Sequence, residues 1–301
     1  MKQKQEKKLL KRRTFLQGTL LATLGLGLTG AGTFYYAHDI EPAWFDITTH
    51  QLSLPHLSPA FHGYRLLQIS DIHADGAFMN ADRLRGLVQM INDLHADMVV
   101  ITGDFVTNYL PEARQILFEL SRLTAKDGVF GVLGNHDHPS GVEWVRDCVR
   151  EAGVQELANK VHTIRRGDQM LHLVGMDDLW PENWGTPAPV WTHEPLLQQL
   201  TSKLPGEGAA ILLVHEPDFA DVAVENGRID LQLSGHSHGG QVRIPFHGPV
   251  ILPPLSRRYP QGLYTIKNLI HYTNNGLGML SPYFRFSCRP EIALFELSFN
   301  K

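Results

Sequence analysis

Met98-Val99-Val100-Ile101-Thr102-Gly103-Asp104 decides the fold. Its first four residues are apolar, three of them β-branched, which predicts a short strand over Met98–Ile101 buried on both faces. The strand stops at a glycine and a carboxylate. The same grammar recurs in Ile69-Ser70-Asp71-Ile72-His73, Leu133-Gly134-Asn135-His136-Asp137, Val214-His215 and Leu233-Ser234-Gly235-His236-Ser237-His238. Each follows an apolar run, with further strands predicted over Tyr64–Ile69, Val129–Leu133 and Ala210–Val214. Ligands of layered α/β proteins bind outside the carboxyl ends of strands, so five such exits can meet in one crevice. Gly103, Gly134 and Gly235 would allow the sharp turns these exits need.

Working outward, helical periodicity falls between the strands, over Asp82–Leu94, Pro111–Leu123 and Gly141–Ala152. A half-buried strand is predicted over Ile47–Leu54 and another over Met170–Val174. Beyond His238 the helical period fades, and Val242–Ile244, Tyr264–Ile266, Leu269–Tyr272 and Ile292–Leu297 predict an antiparallel finish. The fold class is α/β, an α+β layered domain with sheets inside and helices outside. One domain spans residues 41–301 without an internal boundary.

Asp71, His73, Asp104, Asn135, His215, His236 and His238 combine imidazole, carboxylate and an amide oxygen, a donor set for first-row divalent ions. Seven donors are too many for one tetrahedral ion. They suit two ions about 3.5 to 4 Å apart that share a carboxylate, lower the pKa of a water and clamp both oxygens of a phosphoryl displacement. Mn, Fe and Zn all accept such donors. His136 neighbours a ligand without being needed as one, and an imidazole there can protonate a leaving alkoxide. Asp137 is placed to orient a ligand or to cap a turn, and turn chemistry is expected of Asp177 and Asp178.

Composition narrows the function. Of the net charge of -4, the first thirteen residues hold +6, because Lys2, Lys4, Lys7, Lys8, Lys11, Arg12 and Arg13 face only Glu6. The remaining 288 residues carry -10, which argues against a polymeric nucleic acid as partner. Two cysteines, Cys148 and Cys288, cannot ligate a sulfur-bound metal site, and they read as separate core residues.

Residues 1–40 read as an address. Thr14 to Ala37 contains no charged residue over 24 positions, enough to span a bilayer as a helix, with basic residues before it and Asp39 and Glu41 after. The positive-inside rule puts the N-terminus in the cytoplasm and the domain outside. Lys11-Arg12-Arg13-Thr14-Phe15-Leu16 resembles a twin-arginine export signal. No small-x-small cleavage pattern precedes Asp39, and Phe34, Tyr35, Tyr36, Trp44 and Phe45 would form an interfacial belt if the segment stays as an anchor.

The ordered pattern Asp-x-His, Gly-Asp, Gly-Asn-His, His and Gly-His-x-His, over about residues 60 to 300, resembles the calcineurin-like metallophosphoesterases. Leu233–Arg243, Asn275-Gly276-Leu277-Gly278 and Arg289-Pro290-Glu291-Ile292 are most similar to the exported or membrane-anchored bacterial branch of that family. The resemblance implies two packed mixed sheets flanked by helices, and hydrolysis of phosphodiester, pyrophosphate or monoester bonds. It assigns Asp71, His73 and His238 to one ion, Asn135, His215 and His236 to the other, Asp104 to the bridge and His136 to the proton donor. The implied substrate is a phosphate ester, with lipid-linked and cell-wall compounds both open, since a related branch cleaves the pyrophosphate of UDP-diacylglucosamine. A scaffold that has lost catalysis would lack ligands, and none is missing here. A metal hydrolase of carbon esters uses the same chemistry and stays open. Trp180, Trp184 and Trp191, in a Pro- and Gly-rich stretch, are placed to roof the site or meet lipid.

Overall fold

Residues 30–180 and 187–299 are described by the computed structural model. The chain lays down β1 (Asp46–Leu54) and β2 (Tyr64–Ile69), then alternates α1 (Ala81–Asp93), β3 (Met98–Thr102), α2 (Ala113–Leu117), β4 (Val129–Val132) and α3 (Val142–Glu151). There follow β5 (Gln155–Glu156), β6 (Lys160–Arg166), β7 (Gln169–Gly175), α4 (Glu194–Thr201), β8 (Ala209–Leu213), α5 (Ala220–Asn226) and β9 (Leu231–Ser234). The last part holds the small hairpin β10 (Arg243–Ile244) and β11 (Gly248–Pro249), then β12 (Gly262–Ile266), β13 (Leu269–Thr273) and β14 (Glu291–Phe299).

Two six-stranded mixed sheets result, ordered β1-β14-β2-β3-β4-β5 and β12-β13-β9-β8-β7-β6. In the first, β2, β3, β4 and β5 run parallel, which crossover connections allow. The finish is mixed rather than antiparallel. β14 opposes β2 but runs with β1, and β13 opposes β12 but runs with β9, because the closing strands insert beside strands laid down earlier.

The opening stretch explains the layering. Met98 and Val100 face the second sheet, together with Leu66, Phe130 and Val132, and meet Leu173, Ile211, Leu213 and Leu233. Val99 and Ile101 point the other way, onto Leu84, Leu87, Val88 and Ile91 of α1. A strand covered on both faces has no polar alternation to show, hence the unbroken apolar run. Helix α1 starts where the Asn80 side chain accepts from the Arg83 amide at 3.0 Å, a cap worth about 1 kcal/mol. The second sheet is covered outside by α4 and α5 through Val174, Ala210, Leu212 and Val214. At the site end, Gln68 Nε2 donates to Thr102 Oγ1 and to the Ser234 carbonyl, both at 2.9 Å, tying the two sheets together.

The segment predicted helical over Pro111–Leu123 divides into α2 and a 3-10 stretch, Phe118–Arg122. Cys148 and Cys288 are both buried and free. Of the N-terminal address only residues 30–40 are described: 30–35 are helical and Tyr36–Ile40 form a π-helical turn. The twin-arginine-like string lies outside the described residues. Among the described residues no helix is long and apolar enough to cross a membrane.

Phe130 is fully buried between the sheets. Phe130→Ala should therefore cost about 3–5 kcal/mol in chemical denaturation. A loss under about 1 kcal/mol would contradict the two-sheet core.

Candidate metal centre

Three backbone bonds splice the exits of β2 and β3. The amides of Asp71, His73 and Ala74 donate to the carbonyls of Gly103, Asp104 and Phe105 at 3.0, 3.0 and 2.9 Å. The strand direction is lost there. Asp71, His73, Asp104, His236 and His238 all hold left-handed backbones, with φ of 48, 49, 53, 68 and 49°. Such conformations cost non-glycine residues energy and gather at functional sites, where they turn side chains toward a common point.

Donor atoms of Asp71, His73, Asp104 and His238 lie within 4.8 Å of one another, and all four residues are buried. Asp104 Oδ2 is 3.5 Å from His73 Nε2 and 3.2 Å from His215 Nε2, and its Oδ1 accepts from the His136 amide at 2.8 Å. Asp71 Oδ1 is 3.4 Å from His238 Nε2 and 4.0 Å from His215 Nε2, and both its oxygens face the His236 amide. His73 Nε2 and His238 Nε2 stand 3.0 Å apart. Asn135 and His136 join His236 and His238 in lining the adjoining cleft, of about 130 Å³. All seven sequence-predicted donors and His136 are thus brought to one place.

Three of the imidazoles are oriented by backbone carbonyls. His215 Nδ1 donates to the Thr102 carbonyl at 2.6 Å and His236 Nε2 to the Pro254 carbonyl at 2.8 Å, which leaves His215 Nε2 and His236 Nδ1 as the nitrogens available to a cation once unprotonated. His136 Nδ1 donates to the Thr107 carbonyl at 3.0 Å.

Electrostatics fit a cation. Burial lowers His73 to about 3 and His236 to about 4, and it lowers His238 too, so these rings are neutral and able to donate. Burial raises Asp71 to about 7, against the pull of His215 and with a push from Asp104. Burial also works against Asp104, but His215 and His136 prevail and hold it well below the usual carboxylate range. His215 is raised despite burial, chiefly by Asp104. Asn135 Oδ1 is buried without a hydrogen-bond partner, an orphaned acceptor that a divalent ion would satisfy. The residues present fit a metal.

Several supports were not legible in the sequence. Gly103 does turn left-handed, with φ 97°, but Gly134 and Gly235 do not, and they are needed for space instead. A Cβ on Gly134 would sit 2.7 Å from the Asp104 amide nitrogen, and one on Gly235 would overlap Ser70 and Asp71. Asp137 accepts from the Gly134 amide at 2.9 Å and the Val106 amide at 3.1 Å, so it fixes the β3 and β4 exits to each other. Arg285 is fully buried and donates to the carbonyls of Asn275, Gly276 and Gly278 at 2.9, 3.1 and 2.6 Å, pinning the loop that covers Asp71. Its carbonyl partners lie in an irregular loop, where no periodicity marks it as buried. Asp177 and Asp178 depart from turn chemistry. Asp177 pairs with His138 at 2.9 Å and Arg146 at 3.1 Å, while burial and the neighbouring Glu216 push Asp178 up to about 11. Trp180 packs on His236 at 5.7 Å between ring centres and lines the cleft, as a roof would; Trp184 lies outside the described residues. Arg243, Arg257 and Arg258 stay outside the site, and Arg243 instead donates to the Gly239 carbonyl at 2.8 Å.

This fold, with buried carboxylates and imidazoles at the strand exits, defines a metal-dependent phosphoesterase, and the chain belongs to the calcineurin-like phosphoesterases, whose family model matches residues 64–240. Among its relatives, the metallophosphoesterase YkuE of Bacillus subtilis is 34% identical over 296 residues, covering 96% of this chain and 98% of that protein. The phosphodiesterase YaeI of Escherichia coli is 30% identical over 293 residues, covering 96% and 100%. Of solved structures, the sulfate thiohydrolase SoxB of Thermus thermophilus shares the fold at a TM-score of 0.50 and 14% identity, over 80% of this chain and 57% of that one.

Asp137→Ala would strand two buried amides at about 1–3 kcal/mol each and, through the loosened exits, weaken metal binding roughly 10- to 100-fold. Thermal denaturation and metal titration should both move. An unchanged metal affinity would show that Asp137 does not position the donors.

Proposed function

We propose that the protein hydrolyses phosphodiester bonds with two divalent ions, Asp104 bridging them and His136 donating the proton to the leaving group. One observation carries this reading: a single oxygen of Asp104 lies 3.5 Å from His73 Nε2 and 3.2 Å from His215 Nε2. On this reading Asp71, His73 and His238 hold the first ion, and Asn135, His215 and His236 the second. The pair supplies Lewis acidity and a water of lowered pKa. The name of the relative YaeI, a phosphodiesterase, supports the choice of bond.

The chain's own residues divide the remaining work. Thr102 and Pro254 carbonyls fix the tautomers of His215 and His236, so their lone pairs point inward. The Thr107 carbonyl accepts from His136 Nδ1 and so orients the ring; protonated on both nitrogens, it would deliver the Nε2 proton to the alkoxide. Trp180 and Leu280 line the cleft and limit water around the scissile bond. The basic residues 2–13 and the uncharged run from Thr14 to Ala37 support an extracytoplasmic position, with the catalytic domain outside a membrane.

After loading with Mn, Fe or Zn, the protein should turn over bis(4-nitrophenyl) phosphate, and Asp104→Ala should abolish that turnover. His136→Ala should lose about 10²- to 10⁴-fold in kcat on alkyl leaving groups and less on nitrophenolate, which departs without a proton. Equal losses on both would remove His136 as the acid. If the loaded protein hydrolyses no phosphate ester, the reading fails.

Metal uptake should depend on pH in a fixed direction. Asp71, raised to about 7, keeps a proton below that pH and must lose it to bind a cation, so affinity rises as pH rises through 7. Calorimetric titration with Mn²⁺ should give roughly tenfold or greater tightening from pH 6 to pH 8, with net proton release. Binding indifferent to pH would contradict the buried carboxylate as a ligand.

A further inference from the structure

The metal cleft does not end at the metal donors. It opens into a groove of about 440 Å³ that shares His236, His238, Pro253 and Leu280 with it. The rest of the groove is largely apolar, walled by Val242, Val250, Ile251 and Pro282. Ile251 is 76% exposed and Val250 52%. Isolated apolar side chains are ordinary on a protein surface, but a contiguous group beside a catalytic cleft marks a binding surface.

The N-terminal segment packs on residues 284–286, which follow the groove residue Pro282 in the chain. Phe34 packs edge-on against Phe284 at 5.1 Å and Tyr36 against Phe286 at 6.3 Å, while the Arg285 amide donates to the Ala37 carbonyl at 2.9 Å. Gln241, which lines the groove, accepts from the Leu280 amide at 2.6 Å, joining the two walls. Residues 14–29, which carry no charge, run directly into this helix.

An occupant that fills both the donor cluster and the groove fits best with a phosphate at one end and an apolar group at the other. We propose that the groove binds the apolar chain of a lipid phosphoester whose phosphate lies in the metal cleft. This rests on the phosphoesterase reading and names its substrate class.

The test uses the full chain, metal-loaded and held in lipid nanodiscs. It compares kcat/KM for octyl and methyl 4-nitrophenyl phosphate below the micelle threshold. A methylene wholly withdrawn from water is worth about fourfold in affinity, so three in the groove should favour the octyl ester by roughly 50-fold. Ile251→Asn and Val242→Asn should each cut that preference at least about fivefold. Because the readout is a ratio on one preparation, loss of folded enzyme cancels. A ratio near one, as expected if the chain's own apolar segment or a second copy covers the groove, overturns the inference and leaves the phosphoesterase reading intact. A preference undiminished in both variants overturns it too, since partition into the disc alone would then explain it. Hydrolysis of neither ester overturns the catalytic reading itself, and the groove assignment with it.

Discussion

The burial of Asp104 between imidazoles is the constraint on which the rest of the structure turns. An ionised carboxylate withdrawn from water is expensive unless charges and donors face it. Here His215 and His73 approach one oxygen and the His136 amide serves the other. Each partner arrives on a different strand exit, so the carboxylate is satisfied only when β2, β3, β4 and β8 end at the same place. The fold brings the donors together, and the donors in turn make the buried charge tolerable.

That mutual dependence explains the local departures from ideal geometry. Five donors adopt left-handed backbones without being glycine, and two of the glycines beside them are present for lack of a side chain. Strain of this kind is sustained by the surrounding packing: Gln68 joins the sheets beneath the site, Asp137 joins two exits, and Arg285 clamps the loop above Asp71. A rigid cradle of this sort holds imidazoles and carboxylates in place for a cation, with little backbone left to reorganise.

Much of this was readable from the chain because strand exits carry their chemistry in order. The apolar run from Met98 to Ile101, cut off by Gly103-Asp104, announces both a buried strand and its donor, and the other four exits repeat the sign. What escaped reading depends on distance or on solvent. Lys160–Arg166 forms edge strand β6 without an apolar signature, because only Ile164 in it is buried. Arg285 satisfies carbonyls in a loop whose position no local pattern betrays. The meeting of Asp178 with Glu216 crosses two exits, and acidic residues that look like turn chemistry in sequence become a buried pair only in space. The closing strands also defied a local rule, since hairpin spacing speaks to the nearest neighbour and not to β9 or β1, laid down earlier.

Anomalous diffraction from crystals of the manganese-loaded protein addresses the bridging carboxylate directly. Two peaks about 3.5 to 4 Å apart, with Asp104 touching both, are the expected result. A single ion held by Asp71, His73 and His238, or a second one out of reach of Asp104, would contradict it.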